Sequence, residues 1–465
     1  SSQASPRGPR APAQPSGGPS AHRRPPQMSH EFAEFLRSWG SDLRRTFVAA
    51  GAPGISAGAP TLRVATDCSG MEAPLLALRA LGIPFEHAFS SETQAAKRDF
   101  IAANFPSAVL YEDMVKRNHA EAPPHDLYIC GFPCKPFSSL HHGSRFFKES
   151  EAKPFFATIK TLAAALPAVA VLENVPGIKR VLSKVWAKLR AIRHYTVFTF
   201  EANPAKMAEP VERPRVFFVL VRTDVAKEGA TEIVGRLVTV GDKPGHLRRA
   251  TTERLVNDTV AVCRRAPASR GGGKTRRATA SPRGGKTRRK WEEALSGMAR
   301  VPVTLAPGCK LTERQQSLLE VLAARAGGAS NKFNVDLSQG LGRSHVREIC
   351  PTITPGGKIF IGAAQRTLSV WEKCLMHLIP VHDLVWPATL TDNIIGDMVG
   401  NTMHLMAARA SVSPVSRPQQ QLSSGSSSCG SSGGGGRGIW RAAAAAAGAG
   451  AALAQQQQQQ QRRRR

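Results

Sequence analysis

The chain has 465 residues and a formal net charge of +29, too large an excess for an ordinary globular enzyme unless it is unevenly spread. Eight cysteines, none in a Cys-x-x-Cys pair, argue against a zinc site or a disulfide scaffold. No apolar core of a secretory signal is present, and the Ala442–Ala447 run is too short to span a membrane.

Three acid-free segments hold most of the charge. Residues 1–28 carry four Arg, residues 264–290 carry eleven Lys or Arg, and residues 413–465 carry seven Arg, together 22 of the 29 charges. The remainder, with 41 basic and 34 acidic residues, is a modest +7. The start is rich in Pro, Ala, Ser and Gly and lacks an initiator Met, so it reads as a disordered segment of a fragment or processed chain. A short extension, 29–58, follows.

Leu62–Thr66 then reads as a strand, Asp67–Glu72 as a tight turn and Ala73–Leu81 as a helix. Gly70 lets the backbone of that turn approach a ligand. Ala88–Ser91 ends a second strand on the acid Glu92, a helix runs from Thr93 to Phe105, and Tyr111-Glu112-Asp113-Met114 follows. The strand His125–Cys130 leads into Gly131-Phe132-Pro133-Cys134-Lys135-Pro136-Phe137-Ser138, which holds Cys134 in a rigid, glycine- and proline-framed turn. Most cysteines are small buried hydrophobes, so the loop alone is a weak signal. Its neighbours strengthen it. The strand Ala168–Leu172 runs into Glu173-Asn174-Val175-Pro176-Gly177, and Glu212-Arg213-Pro214-Arg215 opens the strand Val216–Val221. A thiol, a carboxyl and two guanidinium groups therefore converge at one end of an α/β sheet, where ligands of such sheets bind.

In order and spacing these segments resemble the DNA 5-methylcytosine methyltransferases, which place a methyl group on carbon 5 of cytosine. The match runs from about Leu62 to Val221 and resumes from about Arg366 to Ala407. Asn203 and Pro210 fit the segment leading into the arginine pair. The resemblance implies that Cys134 adds as thiolate to carbon 6 of a flipped-out cytosine. By the same resemblance Glu173 neutralises charge at ring nitrogen 3, and Arg215 contacts the ring carbonyl oxygen. Arg213 and Arg215 together would favour the thiolate. Phe132, Pro133, Lys135 and Asn174 would complete the substrate side.

The implied methyl donor is S-adenosylmethionine. Cys68, Ser69, Gly70 and Met71 would cradle it, Glu92 and Thr93 would meet its ribose, and Asp113 and Met114 its adenine, with Gly131, Pro154 and Asn401 closing the pocket. Four positions depart from the family pattern. Cys68 stands where an aromatic is usual, Glu72 where a second glycine is usual, Lys135 where glutamine or asparagine is common, and Val211 where glutamine often precedes the arginines.

The implied fold is a doubly wound, Rossmann-like α/β sheet completed by C-terminal helices. Ser369 is the expected N-cap of a late helix, and Gly400-Asn401 a turn preceding a helix that packs back beside the first strand. The catalytic domain is expected over 59–222 and 366–412, with an inserted target-recognition region over 223–365. Within that region Leu311–Ala324 has helical periodicity, and Val335–Gln339 with Cys350–Thr354 resembles its close. Residues 264–290 repeat Gly-Gly-Lys-Thr-Arg-Arg at Gly272 and Gly284, too closely for a folded repeat, and read as a disordered basic insert. Residues 413–465, with Ser, Gly, Ala and Gln runs, read as a disordered tail.

Such basic arms add salt-sensitive affinity for phosphates without specifying sequence. Residues 264–290 are equally readable as a nuclear-import signal or a by-product of biased composition, the reading that Arg462–Arg465 favours. The expected partner is DNA, with no metal and no membrane. The expected location is the nucleus, or, if the N-terminus is a transit peptide, a plastid or other organelle. The competing readings are a tRNA cytosine-5 methyltransferase, whose usual Cys-Phe-Thr signature is not found here, and a catalytically weak chromatin-binding relative. Against the latter stand Cys134, Glu173, Arg213 and Arg215, all present.

Overall fold

The structure, a computed structural model, describes residues 23–25, 45, 61–107, 109–138, 146–148, 150–207, 209–226, 231–232, 291–330, 333–405 and 407–408. The basic insert 264–290, the tail 413–465 and nearly all of 1–58 lie outside them.

Chain order gives β1 (Leu62–Asp67), α1 (Ala73–Leu81), β2 (Phe85–Ser91), α2 (Ala95–Asn104), β3 (Val109–Tyr111) and β4 (Leu127–Cys130). Then come α3 (Lys153–Ala165), β5 (Val169–Asn174), α4 (Leu182–Arg190), β6 (Tyr195–Ala202) and β7 (Arg215–Arg222). These strands form one sheet in the order β3-β2-β1-β4-β5-β7-β6, parallel except for β7, which runs antiparallel to both neighbours. The expected doubly wound α/β fold is therefore present.

Period-2 side-chain alternation divides the strands between two cores. Val64, Leu127, Ile129, Val171, Phe217 and Val219 face one with α1 and the C-terminal helices. Ala65, Tyr128, Cys130, Ala170, Leu172 and Phe218 face the other with α3 and α4. Covered on both faces, the central strands are apolar almost throughout, as buried parallel sheets require.

The recognition interval supplies α5 (Glu313–Arg325) and a small antiparallel sheet of β8 (Asn334–Asp336), β9 (Ile359–Ile361) and β10 (Arg366–Thr367). Thr312 and Gln315 form a capping box at the start of α5. Leu318, Leu322, Val335 and Phe360 make this lobe's own core.

Two C-terminal helices, α6 (Val370–Met376) and α7 (Asp392–Asn401), return to the large sheet. Ser369 caps α6 as expected, in a capping box with Glu372. Gly400-Asn401 does not simply precede a helix. It forms the last turn of α7, and helical residues resume at Leu405. Strand bounds also shift: Glu173 and Asn174 are the last residues of β5, and Arg215 is the first of β7. Among the described residues no helix is long and apolar enough to cross a membrane, and no group of His, Cys, Asp or Glu could hold a metal ion.

Candidate active site

The chain leaves β1 for β2 and β3, then crosses back to lay β4 on the other side of β1. Beyond the carboxyl ends of β1 and β4, at this switch point, lies a cavity of about 380 Å³. Every residue expected at the site lines it except Asn174.

On one side is the turn after β1. Cys68 and Glu72 adopt left-handed conformations, φ 54° each, and Gly70 has φ 55°. A second glycine at position 72 would take that conformation without strain. Here Glu72 takes it instead and turns its side chain inward, fully buried. Its Oε1 accepts from Thr66 Oγ1 at 2.8 Å and from Ser90 Oγ, while Oε2 has no hydrogen-bond partner. Ser90 Oγ also meets His87 Nε2 at 2.7 Å. Burial pushes the Glu72 carboxyl up from its ordinary range, against the pull of His87.

Glu92 closes the turn by accepting from Gly70 N at 3.1 Å and Gln94 N at 3.0 Å. Cys68 lies against Met114, their sulfurs 3.6 Å apart. A hydrogen bond with Cys130, then burial, pushes the Cys68 thiol well up from its ordinary range. Asp113 accepts from Val115 N at 2.8 Å, so it shapes the turn after β3 as well as lining the cavity.

Across the cavity stand Cys134, Glu173 and Arg215. Parallel pairing of β4 with β5 sets Cys130 against Leu172, which puts Glu173 beside the loop carrying Cys134. Because β7 is antiparallel, its first residue, Arg215, arrives at the same end of the sheet. Arg215 Nε meets Glu173 Oε1 at 2.8 Å, both side chains being about 10 % exposed. Burial pushes the Glu173 carboxyl up, opposed by Arg215 and then Arg213. Burial also raises the Cys134 thiol; Arg215 pulls it back most strongly, Glu173 pushes it further and Arg213 pulls less. Both arginines therefore act toward the thiolate, and burial outweighs them.

Hydrogen bonds and aromatic packing hold the loop that carries Cys134. Cys134 O accepts from Phe137 N and Ser138 N at 2.8 Å each. Asn174 Nδ2 donates to Phe132 O at 2.9 Å, which makes Asn174 a support for the loop rather than part of the cavity wall. Arg180 Nη2 donates to Phe137 O at 3.0 Å and Ser138 O at 3.3 Å. Phe132 packs on Phe137 and Phe155. Lys135 reaches across the rim to an ion pair with Glu151. Gly131 is needed for close approach: a Cβ there would stand 3.0 Å from Met403 Cε and 3.2 Å from Glu173 Oε2.

The third wall comes from α2 and α7. Lys97 Nζ donates to Asp397 Oδ2 at 2.6 Å, and Asn401 Nδ2 donates to Asp397 Oδ1 at 3.0 Å. The sequence motifs point to Asn401 but not to Lys97, Asp397, Met398 or Met403, which line the same wall. Asp397 and Asn401, four apart on α7, share a helix face. The Asp397 partner on α2, Lys97, lies 300 residues away. Arg213, 1 % exposed, directs its guanidinium to main-chain carbonyls of Ile353, Gly400 and Thr402.

A thiol, a buried carboxyl and a guanidinium face one cavity at the switch point of a doubly wound sheet, an arrangement chemically capable of nucleophilic group transfer. Residues 65–261 of the chain match the sequence model of the family described as C-5 cytosine-specific DNA methylase.

It is 29 % identical over 154 residues to the type II methyltransferase M.NgoBV of Neisseria gonorrhoeae, covering 30 % of this chain and 36 % of that protein. It is 31 % identical over 137 residues to the DNA (cytosine-5-)-methyltransferase DMT5 of Cryptococcus neoformans, covering 24 % and 6 %. The chain thus spans about a third of the length of the bacterial relatives it matches. Among solved structures it is similar to the Dnmt2 methyltransferase of S. pombe, at 14 % identity, TM-score 0.44 and coverage of 76 % and 97 %. The Entamoeba histolytica methyltransferase EhMeth gives 12 %, 0.46, and 76 % and 96 %.

Proposed function

We propose that the protein is a DNA (cytosine-5)-methyltransferase that uses S-adenosylmethionine and acts through a covalent adduct on a flipped-out cytosine. The observation that carries this reading is the buried Glu173–Arg215 pair beside Cys134 in one cavity with the Glu92–Gly70 turn. The cavity also fits the cofactor. Its donor set places a carboxylate, Glu92, just past the end of β2, apolar Met71 and Met114 on the walls, and glycine backbone at Gly70 and at Gly131, where a Cβ would crowd Met403 and Glu173. Glu92 and Thr93 would take the ribose, Asp113 and Met114 the adenine, and Gly70, Pro154 and Asn401 the remaining walls. When bound, the cofactor supplies an electrophilic methyl group.

The chain's own residues would act as follows. Cys134, as thiolate, adds to carbon 6 of the cytosine, making carbon 5 nucleophilic. Glu173 shares a proton with ring nitrogen 3, a role suited to a carboxyl whose hold on a proton burial strengthens. Arg215 stabilises charge on the ring carbonyl oxygen and holds Glu173 in place. After methyl transfer a base removes the proton from carbon 5, and elimination restores the Cys134 thiolate. The base must leave its stack to reach the cavity, at a cost of roughly a few kcal/mol offset by neighbouring contacts.

Tritiated methyl transfer from S-adenosylmethionine to duplex DNA, single-stranded DNA and total tRNA, with bisulfite sequencing of the products, tests the proposal. Label at carbon 5 of cytosine in duplex DNA supports it. Label confined to tRNA would replace it with the RNA-directed reading, and no label in any arm with an intact Cys134 would favour a regulatory role.

A further inference from the structure

The first arginine of the pair is placed unlike the second. Arg215 faces Glu173, whereas Arg213 Nη1 donates to Ile353 O at 2.8 Å and Nη2 to Gly400 O and Thr402 O at 2.9 and 2.6 Å. These acceptors lie 140, 187 and 189 residues further along the chain. Two of them are at the carboxyl end of α7, where terminal carbonyls lack helical partners and carry partial negative charge. A guanidinium at that point satisfies the helix end and neutralises its dipole.

The third acceptor belongs to the segment 350–355, which is fastened independently to the root of β7. Cys350 N donates to Pro210 O at 2.8 Å, Glu212 N to Cys350 O at 2.9 Å, and Thr352 Oγ1 to Glu212 O at 2.7 Å. The same segment passes directly over α7: a Cβ on Gly400 would stand 2.6 Å from Pro355 Cα. Gly400, Asn401, Thr402 and Met403 all line the cavity.

We infer that Arg213 is a positioning residue, which locks the close of the recognition interval and the last turn of α7 to the root of β7, so that cofactor affinity depends on this strap being seated. The inference rests on the S-adenosylmethionine reading of the cavity. Its consequence is a division of labour within Arg213-Pro214-Arg215: the second arginine serves the reacting ring, the first the cofactor wall.

The test uses the full chain and two variants that disturb the strap from opposite sides, Arg213→Lys and Gly400→Ala. A lysine cannot span three carbonyls, and an alanine methyl pushes Pro355 away without touching Arg213. Calorimetry with S-adenosylhomocysteine, without DNA, should give a dissociation constant raised about tenfold or more in both. The single-turnover rate of Gly400→Ala at saturating S-adenosylmethionine should stay within about threefold of the parent. Glu173→Gln should show the reverse, an unchanged dissociation constant and a lost rate. Thermal melts establish that each variant is folded, and should Arg213→Lys not fold, Gly400→Ala decides alone. An unchanged dissociation constant in folded Gly400→Ala would overturn the inference. So would a collapse of the saturated rate in Arg213→Lys at unchanged affinity. A parent that does not bind S-adenosylhomocysteine would remove the cofactor reading itself, and this inference with it.

Discussion

At the scale of single residues, Cys134 and Glu173 govern each other through Arg215. Both groups are raised by burial, and Arg215 is the largest influence pulling each back. Arg215→Ala should therefore raise the Cys134 thiol further and slow its alkylation by iodoacetamide at mildly alkaline pH. Glu173→Gln removes the neighbouring negative charge, lowers the thiol and speeds alkylation. At a pH below the thiol's own pKa the thiolate fraction follows the acid dissociation constant in direct proportion, so peptide mapping at Cys134 over a pH series resolves the two directions. Equal rates in the two variants would mean that Arg215 and Glu173 do not set the reactivity of Cys134. These partners were readable in the sequence because each sits in a short contiguous motif at a strand end. What the motif could not convey was that burial outweighs arginine, since that depends on walls contributed by distant segments.

At the scale of elements, the β1 turn and the loop carrying Cys134 each rest on a support. Glu72 is the acid under the first. Its pKa is raised, so its neutral form contributes stability that is complete below the ordinary carboxylate range and is lost as pH rises through the raised value. The neutral isostere Glu72→Gln should therefore melt higher than the parent near neutral pH, by on the order of 1 kcal/mol, with the gap closing as pH falls. A gap independent of pH would contradict this. His87, Ser90, Thr66 and Ser69 are the groups that face the carboxyl. The departure from glycine at position 72 was visible in the sequence, but its consequence was not: the inward turn of the side chain needs the left-handed backbone and Ser90 on the neighbouring strand. The second support, Arg180, carried no sequence signal, being one basic residue among several around α4. Arg180→Met should lower the single-turnover rate by about tenfold or more through loss of alignment, with cofactor affinity unchanged. A rate equal to the parent's would show that the loop holds its own shape.

At the scale of the whole molecule, the doubly wound sheet, the capped start of α6 and the site-bearing strands followed from periodicity and the family motifs. The joins did not. Lys97 with Asp397, and Arg213 with Ile353, Gly400 and Thr402, connect residues more than a hundred positions apart, and no local pattern encodes such pairs. The acid-free segment 264–290 belongs to this scale by its charge. Deleting it should weaken DNA binding at low salt and flatten the slope of log affinity against log salt, leaving the methylated sequence context unchanged. A changed set of methylated sites would assign it a reading role. The central claim is that the two halves of the chain assemble one cavity for covalent catalysis by Cys134, and a duplex carrying 5-fluorocytosine tests it most directly, because fluorine blocks the final elimination. With S-adenosylmethionine present, the parent chain should become covalently bound to that duplex, stable to denaturing electrophoresis, and Cys134→Ser should not. A Cys134→Ser protein that still trapped the duplex, or that transferred methyl groups to ordinary DNA at near the parent rate, would contradict the account.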